Sequence, residues 1–373
     1  MMASTKRECG RGGALLWITL TLACGGAPTH TERAVSGPAV TAEATFEIIE
    51  EEVAFDADGR AVHGTLSRPT TTGRRPALLI IAGSGPTDRN WNSPLLAGTN
   101  GSGGLIARAL SARGVVVLRY DKLGTGSTPI PTEPVRWSDY VSEQRGGLAL
   151  LAANEHVDAR HIFLAGHSEG GAHAIHLAAD PGVPLAGLIL LASPGRSFEN
   201  VMLGQIEGQF RAAGLDGADL AAQMDPLRNG FDALVRGETV DPASVSQIPP
   251  VQALFAACAA PRGLPFAREL LAFEPAAALA HLTLPMLIMN GEHDAQVSPT
   301  LDATALADAG HAAGLSDVTL YLPPEANHVF KHEPRPIAEL DPASIATSYS
   351  AADTDLDPAT LTHLVGWLAA HTH

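Results

Sequence analysis

The sequence predicts a doubly wound α/β fold with a mostly parallel sheet, and three observations carry that expectation. Six short apolar runs lack polar alternation: ALLIIA (77–82), VVVLRY (115–120), HIFLA (161–165), GLILLA (187–192), PMLIMN (285–290) and VTLYL (318–322). Strands buried on both faces read this way, as they do in a parallel sheet covered by helices. Between the runs, Ala and Leu recur at i, i+3, i+4 over 102–113, 138–155, 168–180, 299–313 and 356–371, the period of helices that bury one face. The composition agrees, since 45% of the 373 residues are hydrophobic and 17% charged, with a mean hydropathy of +0.09, enough apolar side chain for a large core.

At the N-terminus, Lys6, Arg7 and Arg11 precede the apolar run ALLWITLTL (14–22), which leads into Thr21-Leu22-Ala23-Cys24. A basic stretch before an apolar run too short to cross a bilayer reads as an export signal over 1–23, absent from the mature chain. The segment resembles a bacterial lipoprotein signal, with Thr21 where leucine is usual. That resemblance implies lipidation of Cys24 and an exported protein anchored at the cell envelope; ordinary secretion with Cys24 unmodified is the alternative. Residues 24–45 are small, polar and proline-containing, which reads as a flexible tether.

From Phe46 the pattern changes. FEIIEEEVAF and AVHGTLSRP flank Asp56-Ala57-Asp58-Gly59-Arg60, two strands around an Asp-Gly turn, so an N-terminal β-hairpin is expected. The α/β core then takes 46–194 and 282–373. Residues 195–281 interrupt the rhythm: they carry no buried-strand signal, hold seven prolines and are rich in Ala, Leu, Phe and Met. A structureless loop of that length is improbable, so the segment reads as a helical cap whose folding over the crevice would set the pocket volume.

Charge and cysteine content exclude several functions. The 24 basic and 40 acidic residues give a net charge of −16, a field that repels phosphate backbones, so no nucleic-acid partner is expected. Cys9, Cys24 and Cys258 are the only cysteines and have no zinc-type spacing, which argues against a disulfide framework or a structural zinc.

The chemistry concentrates in Gly166-His167-Ser168-Glu169-Gly170, directly after HIFLA and directly before GAHAIHLAA. A GxSxG between strand and helix forms a sharp turn that thrusts the serine hydroxyl out above the sheet, which makes Ser168 the candidate nucleophile. A serine at its normal pKa needs a base, itself oriented by a carboxylate, and both are expected downstream. Asp294 follows the strand PMLIMN, where a carboxylate points into the crevice beyond the strand ends; Glu292 is the competing acid. His328 lies in the loop after VTLYL, with His332 as the alternative base. The glycine-rich turn Gly83-Ser84-Gly85-Pro86 can present backbone N–H groups to an oxyanion, and the N–H groups of Ser84 and Glu169 are the expected pair.

Other polar residues have two readings each. Asp88 and Arg89 either bind a substrate carboxylate or pair with each other to fix the turn. Tyr120-Asp121-Lys122, with Gly124 and Gly126, reads as shaping the loop beside the elbow. His173 and His176 stand i, i+3 on one helix, a spacing that can share a metal, but no third ligand is evident, so no metal is expected. Met286 and Met289 read as core.

Five ordered motifs, GSGPTDRN (83–90), RYDKLGTGS (119–127), GHSEGG (166–171), NGEHDAQV (290–297) and ANHVF (326–330), resemble those of the α/β-hydrolase superfamily, and more narrowly of bacterial serine esterases. Asn90 stands where that family commonly has Asp, and Leu123 where it often has Arg. The resemblance spans about 46–371 and implies an α/β-hydrolase fold and hydrolysis of a small-molecule carboxylic ester through an acyl-enzyme, with no cofactor. Peptidase, acyl-aminoacyl or thioester hydrolase activity would use the same triad of residues, and a catalytically dead binding module is the reading from a different class.

Overall fold

A computed structural model describes residues 45–372 apart from 95, 341 and 352–353. The expected export signal, Cys24 and all but the last residue of the tether lie outside the described residues. The chain runs β1 (Ile48–Ala57), β2 (Arg60–Pro69), β3 (Arg75–Ile81), α1 (Ser102–Ser111), β4 (Val116–Tyr120), α2 (Trp137–Ala153), β5 (Val157–His167), α3 (Glu169–Ala178) and β6 (Gly187–Leu191). Six helices follow: α4 (Phe198–Ala212), α5 (Gly217–Arg236), α6 (Pro242–Val245), α7 (Pro249–Ala259), α8 (Leu264–Ala272) and α9 (Pro275–Leu279). The chain closes with β7 (Met286–Met289), α10 (Thr304–Ala312), β8 (Val318–Tyr321), α11 (Pro342–Ser350) and α12 (Pro358–Ala370).

The strands form one eight-stranded sheet in the order β1-β2-β4-β3-β5-β6-β7-β8. The hairpin β1–β2 is antiparallel and β2 joins β4 antiparallel, while all pairs from β4 to β8 are parallel. The hairpin turn is built as its sequence requires, with Asp58 at φ 52° and Gly59 at φ 81°, since a two-residue loop that follows the strand twist needs positive φ at both positions.

The unbroken apolar runs have a direct structural cause. In β3, Ala77, Leu79 and Ile81 enter one core with α2, α3, α9 and α10, while Leu78 and Ile80 enter a second core with α1 and α12. Alternate residues therefore face opposite layers, and both layers are apolar. Each fully buried aliphatic side chain contributes roughly 1.5–3 kcal/mol relative to exposure, so neither set tolerates polar substitution. Helices α4, α5, α6, α7 and α8 bury a third, separate cluster around Phe231 and Phe255, which is why 195–281 carries apolar residues without a strand period.

One helix departs from its expected form. The single helix expected over 299–313 begins as a π-helical turn, Pro299–Ala303, before α10. The buried Asp302 carboxylate accepts from the backbone N–H groups of Gly195 (3.1 Å), Arg196 (3.2 Å) and Ser298 (3.1 Å) and from the Arg196 guanidinium (2.8 Å), and this tertiary anchor accompanies the altered turn.

Candidate active site

The chain reverses its direction of sheet growth at β3 and β5, which are neighbours, and their carboxyl ends lie side by side with Ile81 opposite Gly166. Ligand crevices open at such a switch point. The loop after β3 therefore meets the loop after β5. A Cβ added at Gly83 would lie 3.1 Å from the Cβ of Ser168, tighter than an ordinary contact, so glycine favours this close approach of the two loops.

Ser168 sits between β5 and α3 with φ 54° and ψ −125°, a backbone conformation that non-glycine residues rarely adopt. The surrounding glycines make the turn possible. A Cβ at Gly166 would fall 2.1 Å from the Gly170 carbonyl oxygen, one at Gly170 2.5 Å from that of Ile81, and one at Gly171 1.8 Å from Ser193 Oγ. The helix N-terminus is thus pressed against the strands, and the strain is held by close packing.

The acid and the histidine arrive from β7 and from the loop after β8. His328 Nδ1 donates to Asp294 Oδ2 at 2.8 Å, and both groups are buried. Asp294 Oδ1 accepts from the N–H groups of Gln296 (2.7 Å) and Val297 (3.0 Å), while Asn290 Nδ2 donates to Oδ2 at 3.2 Å. The histidine loop is shaped by Asn327, whose Oδ1 accepts from Val329 N and Lys331 N, both at 3.0 Å. Of the alternatives left by the sequence, Glu292 and His332 are both exposed, the latter near Glu325 (3.8 Å) and Asp357 (4.0 Å).

Ser84, Ser168 and His328 line one cavity of about 200 Å³, together with Trp91, Leu96, Gln296, Val329 and Tyr349. Its walls come from the loops after β3, β7 and β8, the β5–α3 turn and α11. Among the described residues that line it, none belongs to α4–α9, so the expectation that residues 195–281 set this volume is corrected. Those helices instead meet α2 and α3 beside the site, where Trp137 and Tyr140 pack with His173 and Phe266. His173 lies parallel to Phe266 at 5.7 Å and contacts Glu169 at 3.5 Å, while His176 packs on Trp137 and Phe273. Both histidines are therefore parts of an aromatic contact.

Asp88 and Arg89 do not pair with each other, which corrects that expectation. Asp88 Oδ1 accepts from Asn90 N (2.8 Å) and Asn92 N (2.9 Å), closing its own turn. Arg89 binds Asp121 (2.8 Å), Glu52 (2.6 Å) and Thr65 (2.8 Å), tying the loop after β3 to β1, β2 and the end of β4. Asp121 also accepts from Arg89 N (2.9 Å) and Ser127 N (2.8 Å); burial pushes its carboxyl up, and these donors outweigh it and hold the pKa below the usual range. A cleft of about 500 Å³ opens over this network, but its three guanidiniums, of Arg89, Arg108 and Arg119, already meet Glu50, Glu52 or Asp121. Its charges are spent internally.

His167 has a role that the motif did not reveal. Its ring stacks on Trp91 (4.0 Å between centroids, 15°), and Nε2 donates to the backbone carbonyl of His328 at 2.9 Å. The residue inside GxSxG thus holds the loop that carries His328. Burial, with the nearby His328 and Lys122, drives the His167 pKa well below its ordinary 6.5 and keeps the ring neutral. As pH falls below 6.5 the unfolded chain takes up a proton here that the folded chain refuses, so this group removes stability on acidification. The loss approaches about 1.4 kcal/mol per pH unit. His167→Gln keeps a donor near Nε2 but cannot titrate; urea unfolding of both proteins from pH 7.5 to 5.5 should show their stability difference shifting in the variant's favour only below 6.5. A pH-independent difference would contradict a buried neutral His167.

A sharp, strained strand-to-helix serine turn at the carboxyl end of a parallel sheet, facing a histidine–aspartate pair, defines the class of hydrolases built on a nucleophile elbow. Comparison with known proteins agrees: residues 78–343 match the Alpha/beta hydrolase family, and the chain belongs to it. It is similar to Esterase EstD of Thermotoga maritima, 27% identical over 235 residues, a stretch covering 63% of this chain and 50% of that protein. The chain therefore spans half the length of this relative. Among solved structures it is similar to proline iminopeptidase of Mycobacterium smegmatis (TM-score 0.53, 17% identity, 86% of this chain and 98% of that one). A hypothetical protein of Pseudomonas aeruginosa is also similar (TM-score 0.50, 16% identity, 88% and 95%). At these identities the two structures speak for the fold alone.

Proposed function

We propose that the protein is a serine esterase that cleaves small carboxylic esters through an acyl-enzyme. The observation that carries this reading is that Ser168, in its strained turn, shares one cavity with His328, whose ring is hydrogen-bonded to Asp294. The likeness to Esterase EstD supports the ester as substrate class.

In this reading His328 Nε2 takes the Ser168 hydroxyl proton as Oγ attacks the ester carbonyl, and the negative charge that forms on the carbonyl oxygen is met by the N–H groups of Ser84 and Glu169. Collapse breaks the bond to the alcohol oxygen, which leaves with the proton from His328. Water then gives its proton to His328, attacks the acyl carbon and releases the acid, restoring Ser168. Asp294 holds the Nδ1–H tautomer and stabilises the imidazolium formed in each half.

The cavity is below the roughly 300–1,000 Å³ typical of sites for drug-sized ligands, which favours a short acyl group against Trp91, Leu96, Val329 and Tyr349. Hydrolysis of p-nitrophenyl acetate through decanoate is expected to peak at two to four carbons, on the order of tenfold or more above decanoate, because a longer acyl chain does not fit a cavity of about 200 Å³. A long-chain optimum would overturn the short-acyl assignment, and no ester turnover would overturn the esterase reading. Export with lipid attachment at Cys24 completes the proposal, and the mass of the mature N-terminal peptide tests it.

A further inference from the structure

We infer that Lys122 is a positioning residue for the oxyanion site, acting through the Gly83–Ser84 peptide. The inference rests on the esterase reading and names what aims one of its two N–H donors. Lys122 follows β4 and its side chain is buried, with Nζ donating to the carbonyl oxygen of Gly83. Its own carbonyl accepts from Thr125 N (2.9 Å) and Thr125 Oγ1 (2.8 Å), which pins the lysine backbone.

A trans peptide is planar, and its C=O and N–H point in opposite directions. Fixing the Gly83 carbonyl toward Lys122 therefore turns the Ser84 N–H away from it. Ser84 lines the cavity with Ser168 and His328, and the backbone of Gly83 rests against Ser168 itself. The peptide is thus clamped between a buried donor on one side and the nucleophile turn on the other. Beyond it, Gly85 takes φ 70° and the Ser84 carbonyl accepts from Thr87 Oγ1 at 2.7 Å, so the following peptide is also committed. A donor on the carbonyl further polarises the amide and strengthens its N–H toward an anion.

The burial of Lys122 fits this role better than a structural ion pair. No carboxylate lies within ion-pair distance of its ammonium among the described residues, and its one hydrogen bond goes to the loop that faces the nucleophile. Glu169 supplies the nearby negative charge, whereas burial pushes the Glu143 carboxyl well above its usual range and toward the neutral form. Glu169 is also the residue whose N–H is the second proposed donor.

The test is Lys122→Met, which keeps the apolar stem and deletes the donor, assayed with a short p-nitrophenyl ester and with a trifluoromethyl ketone whose serine adduct carries the oxyanion. Outright loss of an oxyanion donor costs about 10²- to 10³-fold in kcat, and a misdirected donor should cost about 10- to 100-fold. The expected result is that drop in kcat, KM within about threefold, a parallel drop in ketone affinity, and partial recovery in Lys122→Arg. Should the lone carboxylate of Glu169 unfold the variant, Lys122→Met/Glu169→Gln removes both charges and should show the same parallel loss. A folded variant that keeps kcat and ketone affinity within about threefold of wild type would overturn the inference while leaving the esterase reading intact. Wild-type protein without Ser168-dependent turnover would instead sink the reading on which it rests.

Discussion

Ser168→Ala is expected to lower kcat for a short p-nitrophenyl ester by on the order of 10⁶-fold with little change in KM, as removing the nucleophile of a serine triad does. The residual rate would come from binding and from the N–H donors of Ser84 and Glu169, which do not depend on the hydroxyl. Alanine also suits the elbow no better than serine: the positive φ at 168 is imposed by the close packing of Gly166, Gly170 and Gly171, so the fold should survive. Steady-state kinetics with a melting curve on the same preparation separates the two effects. Retention of more than about a hundredth of the wild-type kcat in a folded variant would remove Ser168 from the chemistry.

Asp294→Asn should cost about 10⁴-fold in kcat with the geometry almost unchanged. The reason lies in the donors around the carboxylate. Oδ1 accepts from the N–H groups of Gln296 and Val297, so an asparagine must keep its carbonyl oxygen there. Its NH₂ would then face His328 Nδ1 and the Asn290 amide, both of which donate to Asp294 in the native protein. The imidazole would be driven to the tautomer with hydrogen on Nε2, which cannot take a proton from Ser168. Added imidazole would not restore this defect, and ¹⁵N chemical shifts of the His328 ring report the tautomer. An unaltered tautomer with full activity would show that Asp294 does not orient the base.

The sequence already carried β3 to β7, because strands buried on both faces are dominated by apolar residues, the buried Arg119 of β4 being paired with Glu50, and it carried the hairpin because Asp58-Gly59 suits the positive φ of a tight turn. The serine, acid and histidine loops were readable for a related reason: each follows an apolar run, so position along the chain translates into position at the sheet's carboxyl edge. Other features were hidden. α11 arises in a stretch of small and polar residues without a clear apolar period, and only its delivery of Tyr349 and Ile345 into a small cluster with Val329 gives it a buried side. The Asp-Pro dipeptide at 341–342 is a helix-start signal that could have marked it.

The strands, their order along the chain and the three side chains at the strand ends follow from local conformation and burial and were legible in the residues themselves, whereas α11 and the π-helical turn were not. The partners of the buried polar residues came from the packing of distant elements: Arg89 with Asp121 and Glu52 instead of Asp88, His167 with the carbonyl of His328, and Lys122 with the carbonyl of Gly83. That packing also draws the cavity walls from the loops after β3, β7 and β8 and from α11, and not from 195–281. A polar side chain buried away from water must find a partner, but which partner depends on elements 32 to 161 residues away in the chain, and no local pattern encodes that distance.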